Sequence, residues 1–205
     1  MTLRRLVLWR HGETDYNAER RMQGQLDSAL TPLGVEQARQ ATPLIAAFEP
    51  DVLLSSDLRR AWDTAAALAE HTGLVVNVDK RLRETHLGQW QGLTHAEVDA
   101  IWPGARLAWR TDAAYAPPGG ENRVEVATRA LPVVAELDAG DAMTAVLCGH
   151  GGLIVGLTAS LLGLPVPNWS SFAGIGNCRW AVLERPLPDP DVPWRLLVYN
   201  AGFAP

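Results

Sequence analysis

The chain has 205 residues, 47% of them hydrophobic and 20% charged, with a formal net charge of −5. That length is enough for one domain with a substantial core, and the composition is that of a globular protein. The negative balance argues against nucleic acid or an anionic membrane as partner, so any affinity for an anion must come from a local cluster of positive groups.

The start, "MTLRRLVLWRHGE", has a short apolar run with no signal-peptide cleavage pattern after it, and the apolar stretch from Leu153 to Leu164 is too short to span a bilayer; a cytoplasmic protein is expected. "LRRLVLW" reads as a first strand, followed by a turn-rich stretch. A helix then runs from Pro32 to about Phe48, opened by Thr31 as N-cap and Pro32 at its first position. Its apolar side is expected on Leu33, Ala38, Ala41, Leu44, Ile45 and Phe48, and Pro43 is expected to kink or interrupt it. "DVLLSSD" reads as a buried second strand, "RRAWDTAAALAEHTG" as a helix closed by Gly73, and "LVVNVD" as a third strand.

"THAEVDAIW" is a short helix in which Thr94 and Glu97 form a capping box, stopped by Pro103 and Gly104. "ENRVEVATRALPVVAELDAG" is a longer helix containing Pro132; "TAVLCGH" is a fourth strand, running into the helix "GGLIVGLTASLLGL". Two last strands, "CRWAVLE" and "WRLLVYN", flank a proline-rich link and are expected as an antiparallel addition at one edge. Cys148 and Cys178 lie in strand-like runs and read as reduced core thiols; no Cys/His spacing suggests a metal site. Apolar strands alternating with helices give one α/β domain over residues 1–205, with a mostly parallel central sheet, an antiparallel edge strand and helices on both faces as a three-layer α/β/α sandwich.

In such sheets ligands bind at the carboxyl ends of the strands. Arg10 and His11 leave the first strand, Asp57, Arg59 and Arg60 the second, Glu84 and His86 the third, and His150, Gly151 and Gly152 the fourth. A neutral imidazole can attack phosphorus and form a phosphohistidine, and arginines can hold the phosphoryl oxygens. Glycines such as Gly12 leave room for an oxyanion, and a helix beginning at Gly151 offers its positive end. A carboxylic acid can protonate the leaving alkoxide and then activate water; Glu84 is the first choice, with Asp57, Glu13 and Glu97 as rivals. Arg59, His71 and His95 read as surface residues. Among the eight tryptophans, Trp62 and Trp180 read as core, whereas Trp90, Trp102, Trp109 and Trp169 lie near loops, as candidates for a substrate mouth or a dimer contact.

"LWRHGETDYN", "LTPLGVEQA", "SSDLRRAWDTA", "RETHLGQWQG" and "CGHGG", in this order, resemble the histidine phosphatase superfamily, the phosphoglycerate mutase-like proteins. The resemblance implies that His11 is the phosphorylated nucleophile, that Arg10, Arg60 and His150 surround the phosphate, and that Glu84 is the proton donor. It also puts Asn17, Gln23, Gly24, His86 and Gly151 at phosphate or substrate contacts, with no metal or organic cofactor and with a homodimer as a common assembly. The segment after Glu84 is short and mixed in charge, which favours a phosphatase over a mutase with a second phosphate clamp. "RRMQGQLDSAL", "PGARLAWR" and "GGENRVEVA" are similar to a narrower actinobacterial group acting on glucosyl-3-phosphoglycerate, for which the Pro103–Arg123 segment would bind carboxylate and sugar. A mutase, a broad-specificity phosphatase, a metal-dependent hydrolase and a non-catalytic regulatory protein remain as alternatives.

Overall fold

The computed structural model describes residues 3–187, 189 and 191–203. Pro188 and Pro190 of the expected proline-rich link lie outside the described residues.

Strands β1 (Arg5–Arg10), β2 (Val52–Ser55), β3 (Val76–Val78), β4 (Thr144–Gly149), β5 (Trp180–Glu184) and β6 (Arg195–Ala201) form a single sheet in the order β3-β2-β4-β1-β5-β6. The pairings β2·β3, β2·β4 and β1·β4 are parallel; β1·β5 and β5·β6 are antiparallel. The antiparallel pairing falls at the expected edge, but the reversed strand is β5, one in from that edge.

Alternate side chains of a strand point to opposite faces, and this decides which residues meet which helices. From β1, Leu6 and Leu8 join the core beneath α6 (Arg123–Asp138) and α7 (Gly151–Leu161), together with Val126, Val133 and Ile154. Val7 and Trp9 point the other way, toward Ala38, Ile45, Ala65 and Leu68 of α2 (Pro32–Ala46) and α3 (Arg59–Thr72). All six residues of β4 are buried, as a central parallel strand requires. The helices after β1 and β4 therefore go to opposite faces, and these neighbouring strands form the sheet's topological switch point.

Several expectations are corrected. Leu33 and Leu44 are 52% and 43% exposed; the buried stripe of α2 is Gly34, Ala38, Ala41, Thr42 and Ile45, about one residue round the helix from them. Pro43 does not interrupt α2, since it sits in the last turn on the solvent side and forfeits only the bond to the exposed Arg39. Pro132 lies within α6, as expected. Trp62 is 45% exposed rather than core. Cys178 occupies a left-handed turn (φ 52°) ahead of β5; both cysteines are free and buried. The expected third strand shortens to three residues.

Two further helices were not expected, α1 (Asp15–Ala18) and α5 (Ala105–Thr111). With α4 (His95–Ile101), α5 carries a separate apolar cluster in which Met22, Leu87, Trp90 and Val98 are buried against Trp102, Trp109 and Tyr115. Trp90 is fully buried at its centre, with ring centroids 6.3, 6.1 and 6.3 Å from Trp102, Trp109 and Tyr115. Residues 85–122 thus form a canopy over the carboxyl end of the sheet. Met22 N–H donates to Leu93 O and Gly92 N–H to Met22 O, both at 2.8 Å, tying the loop after α1 to this canopy.

Candidate active site

The switch point places His11 and His150 one residue beyond paired strand ends. Arg10 is in register with Gly149, and His11 N–H donates to Gly149 O at 3.0 Å. The two imidazoles are buried, with ring centroids 5.1 Å apart.

The tautomer of His11 follows from its partners. Nδ1 lies 2.7 Å from the Gly12 carbonyl oxygen, which can only accept, so Nδ1 carries the proton. Arg60 Nε, which can only donate, lies 3.3 Å from Nε2, so Nε2 holds the lone pair. Burial first, and then the charges of Arg60 and Arg10, pull the His11 pKa well below the usual histidine range. His150 is pulled down in the same direction, again chiefly by burial and then by Arg60. Both rings are therefore neutral near pH 7.

The positive charge beside them is not neutralised by carboxylates in contact. Arg60 is fully buried and donates to Gly24 O and Leu26 O, both at 2.8 Å. Arg10 donates to Ile175 O at 2.6 Å. Neither makes an ion pair among the described residues. Burial lowers the pKa of both, Arg60 to about 10, yet leaves them cationic. Guanidinium groups held by carbonyl dipoles and facing a cavity make an anion site.

Glu84 lies at the start of α7. Its carboxylate accepts from Gly152 N–H at 3.1 Å, Leu153 N–H at 3.2 Å and Thr85 N–H at 2.8 Å. The positive end of α7 thus holds Glu84 rather than an external anion. Gly152 leaves room for this carboxylate, because a Cβ there would stand 2.6 Å from Glu84 Oε1 and 2.5 Å from Thr85 Oγ1 and would displace them. The chain beneath is clamped as well: Arg129 donates to Glu84 O at 2.8 Å and Arg81 O at 2.6 Å, and Gln25 Nε2 donates to Glu84 O at 3.0 Å.

The rival acids are engaged elsewhere. Asp57 takes a bidentate pair from Arg83 at 2.7 and 2.6 Å, Glu97 caps α4, and Glu13 accepts from Thr31 Oγ1. Gly12 proves to be a packing residue, since a Cβ would lie 2.4 Å from Gly34 O of α2.

A cavity of about 260 Å³ brings together Arg10, His11, Asn17, Gln23, Gly24, Arg60 and Glu84. Asn17 Oδ1 accepts from Asn177 Nδ2 at 3.0 Å and Thr14 N–H at 3.2 Å, so its amide N–H₂ is the group left for a ligand. Gln23 Oε1 accepts from Thr14 Oγ1 at 3.1 Å, and Gln23 Nε2 bonds Ser28. Gly24 has φ 57°, and a Cβ there would meet Gln91 Oε1 at 2.4 Å. Gly151 lines an adjoining recess. His86 is not brought in: it lines neither space, and its backbone N–H donates to Glu121 at 2.8 Å.

Sequence reasoning missed the cavity lining by Tyr16, Arg20 and His95. His95 was expected on the surface; it opens α4 directly after the N-cap Thr94, inside the capping box, a signal that fixed its place on the helix but not the cavity beside it. Arg59 and His71 are exposed, as expected. Among the described residues, no three or more His, Cys, Asp or Glu side chains gather as a metal site, and no helix is long and apolar enough to cross a membrane.

A neutral, buried imidazole with its lone pair toward unpaired guanidinium groups, at a sheet switch point, defines a site for nucleophilic chemistry on an oxyanion. The chain belongs to the histidine phosphatase superfamily (branch 1), whose family model matches residues 6–194. A glucosyl-3-phosphoglycerate phosphatase of Mycolicibacterium vanbaalenii is 56% identical, the match covering 98% of this chain and 96% of that one. A solved mycobacterial glucosyl-3-phosphoglycerate phosphatase in complex with VO3 superimposes with a TM-score of 0.93 at 56% identity, over 97% of this chain and 100% of that one. A probable phosphoglycerate mutase of Yersinia pestis is 37% identical, over 78% of this chain and 75% of its own length.

Proposed function

We propose that this protein is a phosphomonoester hydrolase that works through a phosphohistidine on His11, removing phosphate from glucosyl-3-phosphoglycerate to leave glucosylglycerate. The observation that carries the mechanism is the pair of bonds at His11: Gly12 O fixes the proton on Nδ1, and Nε2 keeps its lone pair beside Arg60. Relatives solved with VO3 and with inorganic phosphate support an oxyanion as ligand. Their names, at 54–56% identity, support the substrate.

In the first step the His11 Nε2–P bond forms and the P–O bond to the glycerate breaks, with Glu84 giving its proton to the leaving alkoxide. Arg10, Arg60 and His150 surround the phosphoryl oxygens, with the Asn17 amide as a further donor. In the second step water attacks the phosphohistidine, Glu84 takes the proton, and phosphate leaves with Nε2 restored. No metal enters either step.

The test is phosphate release, in the presence of chelator, from glucosyl-3-phosphoglycerate, mannosyl-3-phosphoglycerate, 3-phosphoglycerate, common sugar phosphates and an aryl phosphate. A strong preference in kcat/KM for the glucosyl ester is expected; even, weak activity across the panel would overturn the substrate assignment. A cytoplasmic location is part of this reading, to be checked by cell fractionation, and a homodimer rests on family likeness, to be checked by sedimentation.

A further inference from the structure

The cavity continues past the phosphate end into a second recess of about 550 Å³, sharing Arg10, Glu84, Trp109 and Gly152 with the first. Arg123, at the start of α6, forms part of its wall. The Arg123 guanidinium stacks 4.6 Å from the Trp109 ring centroid and donates to Trp109 O at 2.7 Å.

Three buried donors among the residues around this recess have no partner: Arg10 Nε, Arg123 Nε and Trp109 Nε1. All are donors and none can accept, so they match a ligand whose oxygens only accept. The charges agree. Arg81, Arg83, Arg106 and Arg129 each pair with a carboxylate at 2.6–3.0 Å, whereas Arg110 and Arg123, which face the recess, pair with none among the described residues. A largely buried guanidinium without a counter-ion is costly in the free protein, and an incoming anion relieves that cost. Burial also lowers the pKa of Arg123.

Tyr16, Arg20 and His95 line the first cavity and not the recess, whereas Trp109 lines both. The two spaces thus meet at Arg10, Glu84 and Trp109 and differ in their remaining walls, which gives a branched substrate separate surroundings for two substituents.

Resting on the function proposed above, we propose that Arg123, assisted by Arg110, seats the carboxylate of the substrate's glycerate unit, leaving the Tyr16–His95 side for the sugar. The recess is thus the part of the site that distinguishes a phosphoglycerate ester from a neutral sugar phosphate.

The experiment compares glucosyl-3-phosphoglycerate with its analogue in which the carboxylate is reduced to a hydroxymethyl group. The native enzyme is expected to favour the acid by about tenfold or more in kcat/KM, the worth of one charge-assisted hydrogen bond. Arg123→Gln should bring that ratio close to one, mainly through KM of the acid; Arg110→Gln should lower it less. Should the glutamine variant fail to fold, Arg123→Lys keeps the charge but loses the fork, and an intermediate ratio is expected. An undiminished ratio in the Arg123 variants, or a native ratio near one, overturns the carboxylate assignment and leaves the phosphatase standing. Failure of the native enzyme to hydrolyse either compound while it cleaves an aryl phosphate overturns the substrate reading, and this assignment with it.

Discussion

The floor of the site and its canopy are built on different principles. The floor is backbone geometry: β1 and β4 lie in register, and His11 and His150 follow at their ends. The canopy, residues 85–122, is side-chain packing around Trp90, with short helices and few backbone ties to the sheet. The floor fixes what reaction is possible, because its rings and guanidinium groups are buried before any ligand arrives. On the proposed function, the canopy is the part that selects which phosphate ester fits. Disturbing the first should stop chemistry with little effect on the fold, and disturbing the second should change binding and local stability.

The largest effect is expected at the floor. His11→Ala should reduce kcat by several orders of magnitude on every substrate, with the melting temperature nearly kept. A variant retaining substantial turnover would remove His11 from the chemistry.

Gly152→Ala should follow, with about a hundredfold loss of kcat on poor leaving groups such as sugar phosphates. The added methyl meets Glu84 Oε1 and displaces the proton donor. An aryl phosphate, whose leaving group needs no proton, should slow far less. Equal losses on both would mean that Glu84 does not serve the leaving group.

At the canopy, Trp90→Ala should cost about 3–5 kcal/mol of local stability, since a large fully buried ring is removed. Hydrogen exchange should quicken over residues 85–122, and KM for the physiological ester should rise more than kcat for an aryl phosphate falls. Unchanged exchange would show that the canopy does not depend on this cluster.

The most gradual effect is on the pH dependence of folding. His11 and His150 have folded pKa values below their unfolded value near 6.5, so below that pH the unfolded chain binds more protons. Their contribution is full above pH 6.5 and declines as pH falls, by up to about 1.4 kcal/mol per pH unit for each ring. Urea unfolding between pH 7 and 5 should show this slope, and His150→Asn should lessen it.

The contrast also explains what was legible in the sequence. Strand patterns gathered Arg10, His11, Arg59, Arg60, Glu84, His86 and His150 because a parallel sheet brings all its carboxyl ends to one edge, and the family resemblance singled out His11, His150, Arg10, Arg60 and Glu84 among them. Capping boxes marked α4 through Thr94 and Glu97 for the same reason, local chemistry with a fixed spacing. Long-range packing was not legible. No spacing shows that Trp90 is buried while Trp62 is exposed, or that the residue Gly12 makes room for is Gly34 rather than a ligand. The expected interruption at Pro43 does not occur because a proline's cost depends on which carbonyl it orphans, and here that belongs to exposed Arg39. His95 was read as exposed because it lies on a helix, although it lines the cavity.

The central claim is covalent transfer to His11, and the stereochemistry at phosphorus tests it most directly. A phosphate ester made chiral by oxygen isotopes, hydrolysed in isotopically distinct water, reports whether displacement occurs once or twice. Two displacements, on to His11 and off to water, give overall retention, which is the expected result. Inversion would mean that water attacks the ester directly, and would contradict the phosphohistidine mechanism.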